Sequence, residues 1–130
     1  MATYVDSSMV LADLFKEARR PEPGVWEQTL FASRLTEYEV WVTLHSRRRG
    51  DQLARRAEWI LDQIQFLDMT PTLLDRVKTP FPISLRTLDA FHLASADWLR
   101  REGFTVEFAT YDARLRQAAL VMGFPVMEMA

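Results

Sequence analysis

Val106-Glu107-Phe108-Ala109-Thr110-Tyr111-Asp112-Ala113-Arg114-Leu115 is an apolar run that gives way, around a single acid, to a helical pattern. The run predicts a strand over 106–110 and the pattern a helix over 112–122, closed by Gly123. Thr3-Tyr4-Val5-Asp6-Ser7-Ser8 repeats the arrangement near the other end of the chain. There a short strand leads into a helix over 8–18 that Asp6 or Ser7 is placed to cap. Between these two units the alternation continues. A strand over 28–33 precedes a helix over 36–49, for which Gly50 offers a left-handed stop. A helix over 51–65 follows, with Leu53, Ala57, Ile60, Leu61 and Ile64 on its apolar stripe. A strand over 66–69, a short helix opened by Pro71, and a helix over 85–101 that is apolar nearly all round complete the middle. Arg19-Arg20-Pro21-Glu22-Pro23-Gly24 and residues 79–82 are loops, and 125–127 is a last strand. Short strands separated by helices predict parallel pairing with crossover helices on both faces. The expected fold is therefore α/β, a three-layer α/β/α sandwich with a short parallel sheet, as one domain over 1–130.

Bulk composition narrows the function. A chain of 130 residues, 48% hydrophobic and 26% charged, has globular composition and enough length for one ordinary core. No apolar run approaches the roughly 18–20 residues that cross a bilayer, so no membrane partner is expected. The opening MATYVDSSMV lacks a basic start and does not read as a secretory signal. The absence of cysteine excludes disulfides and thiolate metal sites and fits a cytoplasmic location. The net charge is −2, yet of 16 basic residues only Lys16 and Lys78 are lysines and fourteen are arginines. Arginine presents a planar fork suited to phosphate, which keeps nucleic acid open as a substrate.

Four carboxylates stand where the predicted elements turn over: Asp6, Glu39, Asp89 and Asp112. In open parallel sheets ligands bind beyond the carboxyl ends of the strands, where Asp6 and Asp112 are expected. Either of these two alone reads as an ordinary helix cap. On its helix, Glu39 falls at the edge of a stripe marked by Leu35, Tyr38 and Val42, whereas Glu37 projects from nearly the opposite side. Asp89 interrupts an apolar stretch and costs several kilocalories per mole to bury unless its charge is compensated. Asp97 is two turns further on and is expected at the surface, His92 as a hydrogen-bonded core residue, and His45 as exposed. With two histidines and no cysteine, an all-oxygen site for Mg²⁺, or Mn²⁺ in its place, fits better than zinc. Acids that hold such a cation at a sheet edge, with arginines nearby, suit metal-assisted phosphodiester hydrolysis. No glycine-rich phosphate loop and no G-x-S-x-G elbow offers another chemistry.

With these segments laid out, the chain resembles the PIN-domain ribonucleases and, within them, the VapC toxins of type II toxin–antitoxin pairs. The resemblance is carried by Tyr4-Val5-Asp6-Ser7-Ser8, Leu35-Thr36-Glu37-Tyr38-Glu39-Val40, Leu88-Asp89-Ala90-Phe91-His92-Leu93-Ala94 and Ala109-Thr110-Tyr111-Asp112-Ala113-Arg114-Leu115, with Gly123-Phe124-Pro125-Val126 at the end. Order and spacing agree over essentially the whole chain. The resemblance implies a magnesium-dependent endoribonuclease acting on structured RNA, transfer or ribosomal. Asp6, Glu39, Asp89 and Asp112 would be its acidic quartet, with Ser7 and Thr110 as supporting hydroxyls. It also implies a homodimer and a cognate antitoxin that covers the acids. The family's glutamate motif has one acid, and here Glu37 competes with Glu39; helix phase favours Glu39. Arg86, Arg114 and Arg116 are the arginines nearest the acids and candidates for RNA contact. Two other readings remain. One is a catalytically inactive RNA- or protein-binding regulatory module on the same scaffold. The other is a phosphoacceptor receiver domain, against which stand the single acid after the first strand and the lack of any lysine after Lys78.

Overall fold

A computed structural model describes residues 1–129. Four short strands, β1 (Ala2–Val5), β2 (Leu30–Ser33), β3 (Ile64–Leu67) and β4 (Val106–Ala109), form one parallel sheet in the order β3-β2-β1-β4. The described helices are α1 (Ser7–Leu14), α2 (Arg34–Ser46), α3 (Gly50–Asp62), α4 (Pro71–Val77), α5 (Thr87–Arg101) and α6 (Ala113–Val121), with a 3₁₀ turn over Pro23–Glu27. None is long and apolar enough to cross a membrane.

Strand side chains alternate between faces, and the sheet therefore builds two cores. Val5, Leu30, Ala32 and Ala109 pack with Met9, Val10, Trp26, Val40, Leu44, Ala57 and Ile60, beneath α1, α2 and α3. Tyr4, Phe31, Val106 and Phe108 pack on the other face with Leu93, Ala96, Leu99, Leu115 and Ala118 of α5 and α6. The three layers expected from the alternation are thus formed, with β1 central and paired to both β2 and β4.

Several boundaries differ from the sequence reading, each for a local reason. Ile64 does not extend the apolar stripe of α3 but pairs with Leu30 as the first residue of β3. Sheet pairing overrides the helical period there. The stop after α2 is Arg48, not Gly50: Arg48 takes φ 54°, and Gly50 opens α3. Arg49 N–H reaches Leu44 O at 2.8 Å and Arg48 N–H reaches His45 O at 3.0 Å, the paired bonds of a Schellman ending. α1 stops at Leu14, followed by Lys16 at φ 49°. The last strand reduces to one bridge between Phe108 and Val126, at an edge where Pro125 has no N–H to give. Helix α5 is buried along most of its length, though Leu88 and Trp98 reach solvent. Asp97 is no surface acid: it is 7% exposed and accepts from Arg100 at 2.9 Å and Arg101 at 3.1 Å.

Candidate active site

Val5 and Ala109 are register partners at the carboxyl ends of β1 and β4, so Asp6 and Thr110 leave the sheet side by side. Asp6 is only 5% exposed. Its Oδ1 accepts from Ser8 Oγ at 2.6 Å and its Oδ2 from Thr110 Oγ1 at 2.7 Å. The two hydroxyls lie 3.2 Å apart and themselves accept the backbone N–H groups of Tyr111 and Asp112, each at 2.9 Å. This lattice fixes the start of α1 to the turn between β4 and α6. Asp6 stands at the N-cap position of α1 but makes no capping bond, which removes the cap explanation for it. Asp112 does cap: its exposed carboxylate accepts from Arg114 N at 2.9 Å and Leu115 N at 3.0 Å, both through Oδ1.

Asp89 lies in the first turn of α5, 8% exposed, and its carboxylate has no hydrogen bond or ion pair among the described residues. Glu39 Oε1 is buried and sits 3.2 Å from His92 Nε2. That distance suits charge pairing, but no well-aligned hydrogen bond reaches the oxygen. Asp6, Glu39, Asp89 and Asp112 line one cleft of about 370 Å³, together with Ser7, Ser8, Arg86 and His92. Glu37 points elsewhere, to Arg34 at 3.1 Å, and lines a different cavity. Glu39 reaches the cleft on grounds other than the expected stripe. Tyr38 and Val42 are 59% and 64% exposed, and the buried face of α2 is Thr36, Val40 and Leu44. Arg114 and Arg116 lie outside the cleft lining, while Ser7 lines it without a side-chain hydrogen bond among the described residues.

The electrostatics follow from burial. Desolvation pushes the Asp6 carboxyl above its ordinary range; the charge of His92 and the hydroxyls of Ser8 and Thr110 pull it back, and Glu39 raises it again. Burial works to lower His92, but the Glu39 contact and the charges of Asp6, Glu39 and Asp89 outweigh it and hold the imidazole above its usual value. Burial keeps the Tyr4 hydroxyl neutral far above its normal range.

Sequence reasoning missed Ser8 and the pair Tyr4–His92. Ser8 was accessible, since a hydroxyl two residues beyond an acid at a helix start commonly bonds back to it. The partner of Tyr4 is 88 residues away and left no local signal.

The donor set, four carboxylates and two hydroxyls with one imidazole behind them, fits a hard divalent cation. The partnerless Asp89 and the buried Glu39 Oε1 are where such a cation would compensate charge. Among the described residues, no three His, Cys, Asp or Glu side chains converge closely enough to grip one ion as they stand. The like charges share the cleft but stand apart.

Comparison with known proteins adds a third line. The profile of the PIN domain matches residues 3–120. The chain is 39% identical over 128 residues to Ribonuclease VapC47 of Mycobacterium tuberculosis, spanning 93% of this chain and 92% of that protein. It is 31% identical over 133 residues to Ribonuclease VapC46 of the same organism, spanning 97% and 96%. Among solved structures, a toxin–antitoxin complex from Klebsiella pneumoniae matches with TM-score 0.61 at 18% identity, over 97% of this chain and 96% of that one.

Proposed function

Because the chain belongs to the PIN-domain family and, within it, to the VapC ribonucleases, we propose that it is a magnesium-dependent endoribonuclease toxin, with Mn²⁺ as a substitute, that cleaves structured RNA in the cytoplasm. The observation that carries this reading is the single cleft lined by Asp6, Glu39, Asp89 and Asp112, with Asp6 and Asp89 buried.

The four carboxylates would hold the cation. A divalent ion bound there lowers the pKa of water and neutralises charge on a phosphate and its leaving oxygen. The chain's own residues supply the positioning. Ser8 and Thr110 fix both oxygens of Asp6, so that carboxylate needs little reorganisation to act as a ligand. The α6 amides hold Asp112 by Oδ1. Asp89 has no competing protein partner to give up. Arg86, exposed at the cleft, offers a fork for the RNA backbone, and Arg114 and Arg116 on α6 extend that contact outside it. In the same reading the protein works as a homodimer of a single PIN domain, and a cognate antitoxin silences it by covering the cleft. The Klebsiella toxin–antitoxin complex, alike in fold, supports the antitoxin partner.

The test is cleavage of cellular RNA by purified protein with Mg²⁺ or Mn²⁺, with the new ends mapped. Asp6→Asn, Asp89→Asn and Glu39→Gln should each lower cleavage by about 100-fold or more, beyond the usual loss from an outer partner of a metal ligand. Glu37→Gln should leave the rate essentially unchanged. Undiminished cleavage by both aspartate variants would overturn the proposal. RNA binding with no cleavage by the parent would replace it with a binding module.

A further inference from the structure

Behind Glu39 lies a polar chain that the proposed reaction does not use. Tyr4, in the middle of β1, is fully buried, and its ring is wedged between His92 and Phe108, with ring centroids at 5.9 and 5.0 Å. Its hydroxyl accepts Ser33 N–H at 3.0 Å and lies 2.8 Å from His92 Nδ1. The other ring nitrogen of His92, Nε2, faces Glu39 Oε1 at 3.2 Å. Ser33 caps α2, the helix that carries Glu39. The polar chain therefore starts at the cap of α2, passes through β1 and α5, and returns to α2 six residues on.

We propose that Tyr4 and His92 are positioning residues for Glu39, a buried strut that sets how its carboxylate is presented to a divalent cation. The inference rests on the reading of the cleft as a metal site. A buried imidazole needs a partner at each ring nitrogen, and for packing alone a backbone carbonyl would serve at Nε2. Here its second nitrogen is turned to an acid of the cleft, across 3.2 Å and without an aligned hydrogen bond. Ser33 N–H gives to the Tyr4 oxygen and Tyr4 O–H to Nδ1, which leaves the remaining ring proton on Nε2, on the side of Glu39. The tautomer of His92 follows from its partners rather than from any visible proton. An outer partner of this kind orients a ligating group, and its loss commonly lowers metal affinity about 10- to 100-fold.

The experiment is a Mn²⁺ titration of the full chain, read by electron paramagnetic resonance of the free ion. The variants are Tyr4→Phe, His92→Asn and His92→Gln, with Asp6→Asn as the control that removes a proposed ligand. Melting curves in chelator set a temperature at which every variant is folded. Tyr4→Phe retains the ring and loses only the hydroxyl. His92→Asn retains a polar atom near Nδ1 and loses the Glu39 contact, whereas His92→Gln places an amide donor near Nε2. Tyr4→Phe and His92→Asn are expected to bind Mn²⁺ about 10- to 100-fold more weakly, and His92→Gln close to the parent. A merely structural role would lower the melting temperature and leave the affinity alone. Should the parent bind Mn²⁺, Asp6→Asn fail to, and both Tyr4→Phe and His92→Asn match the parent, the strut is overturned and the metal site stands. If Tyr4→Phe does not fold, the contrast between the two His92 variants decides. A parent that binds no Mn²⁺ overturns the metal reading and the strut with it.

Discussion

Asp6 carries a conflict between burial and charge. It is held by two hydroxyls, yet burial still raises its carboxyl above the ordinary range, and His92 is raised as well once its acidic neighbours outweigh burial. In metal-free protein both groups bind protons more tightly folded than unfolded. Their contribution to stability is therefore present at low pH and lost on raising it, from about pH 4 upward for Asp6 and from about pH 6.5 upward for His92. Asp6→Asn removes the first loss. In chelator its melting temperature should gain on the parent's as pH rises above about 4, while cleavage with Mg²⁺ supplied should fall by about 100-fold or more. A gap that does not change with pH would show that burial of the charge is not what strains this position. The sequence pointed to Asp89 as an acid with costly surroundings and placed Asp6 at the carboxyl end of a strand, and both are buried in the cleft. It also favoured Glu39 over Glu37, but by a stripe containing Tyr38 and Val42 that in fact faces solvent. Helical phase separates two residues two apart whichever face is buried; it does not say which face that is.

Where α2 ends, the chain puts an arginine into a conformation that disfavours one. Arg48 at φ 54° closes the Schellman ending, although a glycine stands only two residues later. A left-handed residue with a Cβ costs roughly 1–2 kcal/mol, part of which glycine gives back through its greater freedom when unfolded. Arg48→Gly should accordingly stabilise the protein by about 0.5–1 kcal/mol, measured by urea denaturation, with no change in m-value. Destabilisation would mean that Arg48 makes up the cost through a contact of its side chain. This ending also marks how far element boundaries were legible. Strand and helix order came through because each unit has its own hydrophobic period. Gly123 was found because it does take positive φ, at 84°. Ile64 was misassigned because it continues the helical stripe of α3 equally well; only the presence of β2 beside it decides. Asp97 was misplaced because its burial depends on Arg100 and Arg101 folding back over it, a tertiary outcome without periodic trace.

Taken together, the chain gathers four carboxylates in one cleft while its net charge is already −2. Two of these acids are buried, so ions in bulk solvent screen them poorly. A cation bound inside the cleft interacts with the folded state alone, and mass action then converts its affinity into stability. At a free concentration 100-fold above the dissociation constant the gain is about 2.7 kcal/mol, which for a domain of this size raises the melting temperature by roughly 8–13 °C. Titrating Mg²⁺ or Mn²⁺ into chelator-stripped protein during thermal melts measures the rise directly. Sodium chloride at matched ionic strength should yield only a small part of it, because it acts on the exposed Asp112 and scarcely on Asp6 and Asp89. Asp6→Asn should lose most of the divalent effect and start from a melting temperature no lower than the parent's. Among the described residues no three of these side chains converge on one point, and the gain comes from the attraction of the cation for acids that the folded chain gathers in one cleft and the unfolded chain disperses. Equal shifts from sodium and magnesium salts, or an undiminished shift in Asp6→Asn, would mean that the cleft tolerates its charge without a bound cation.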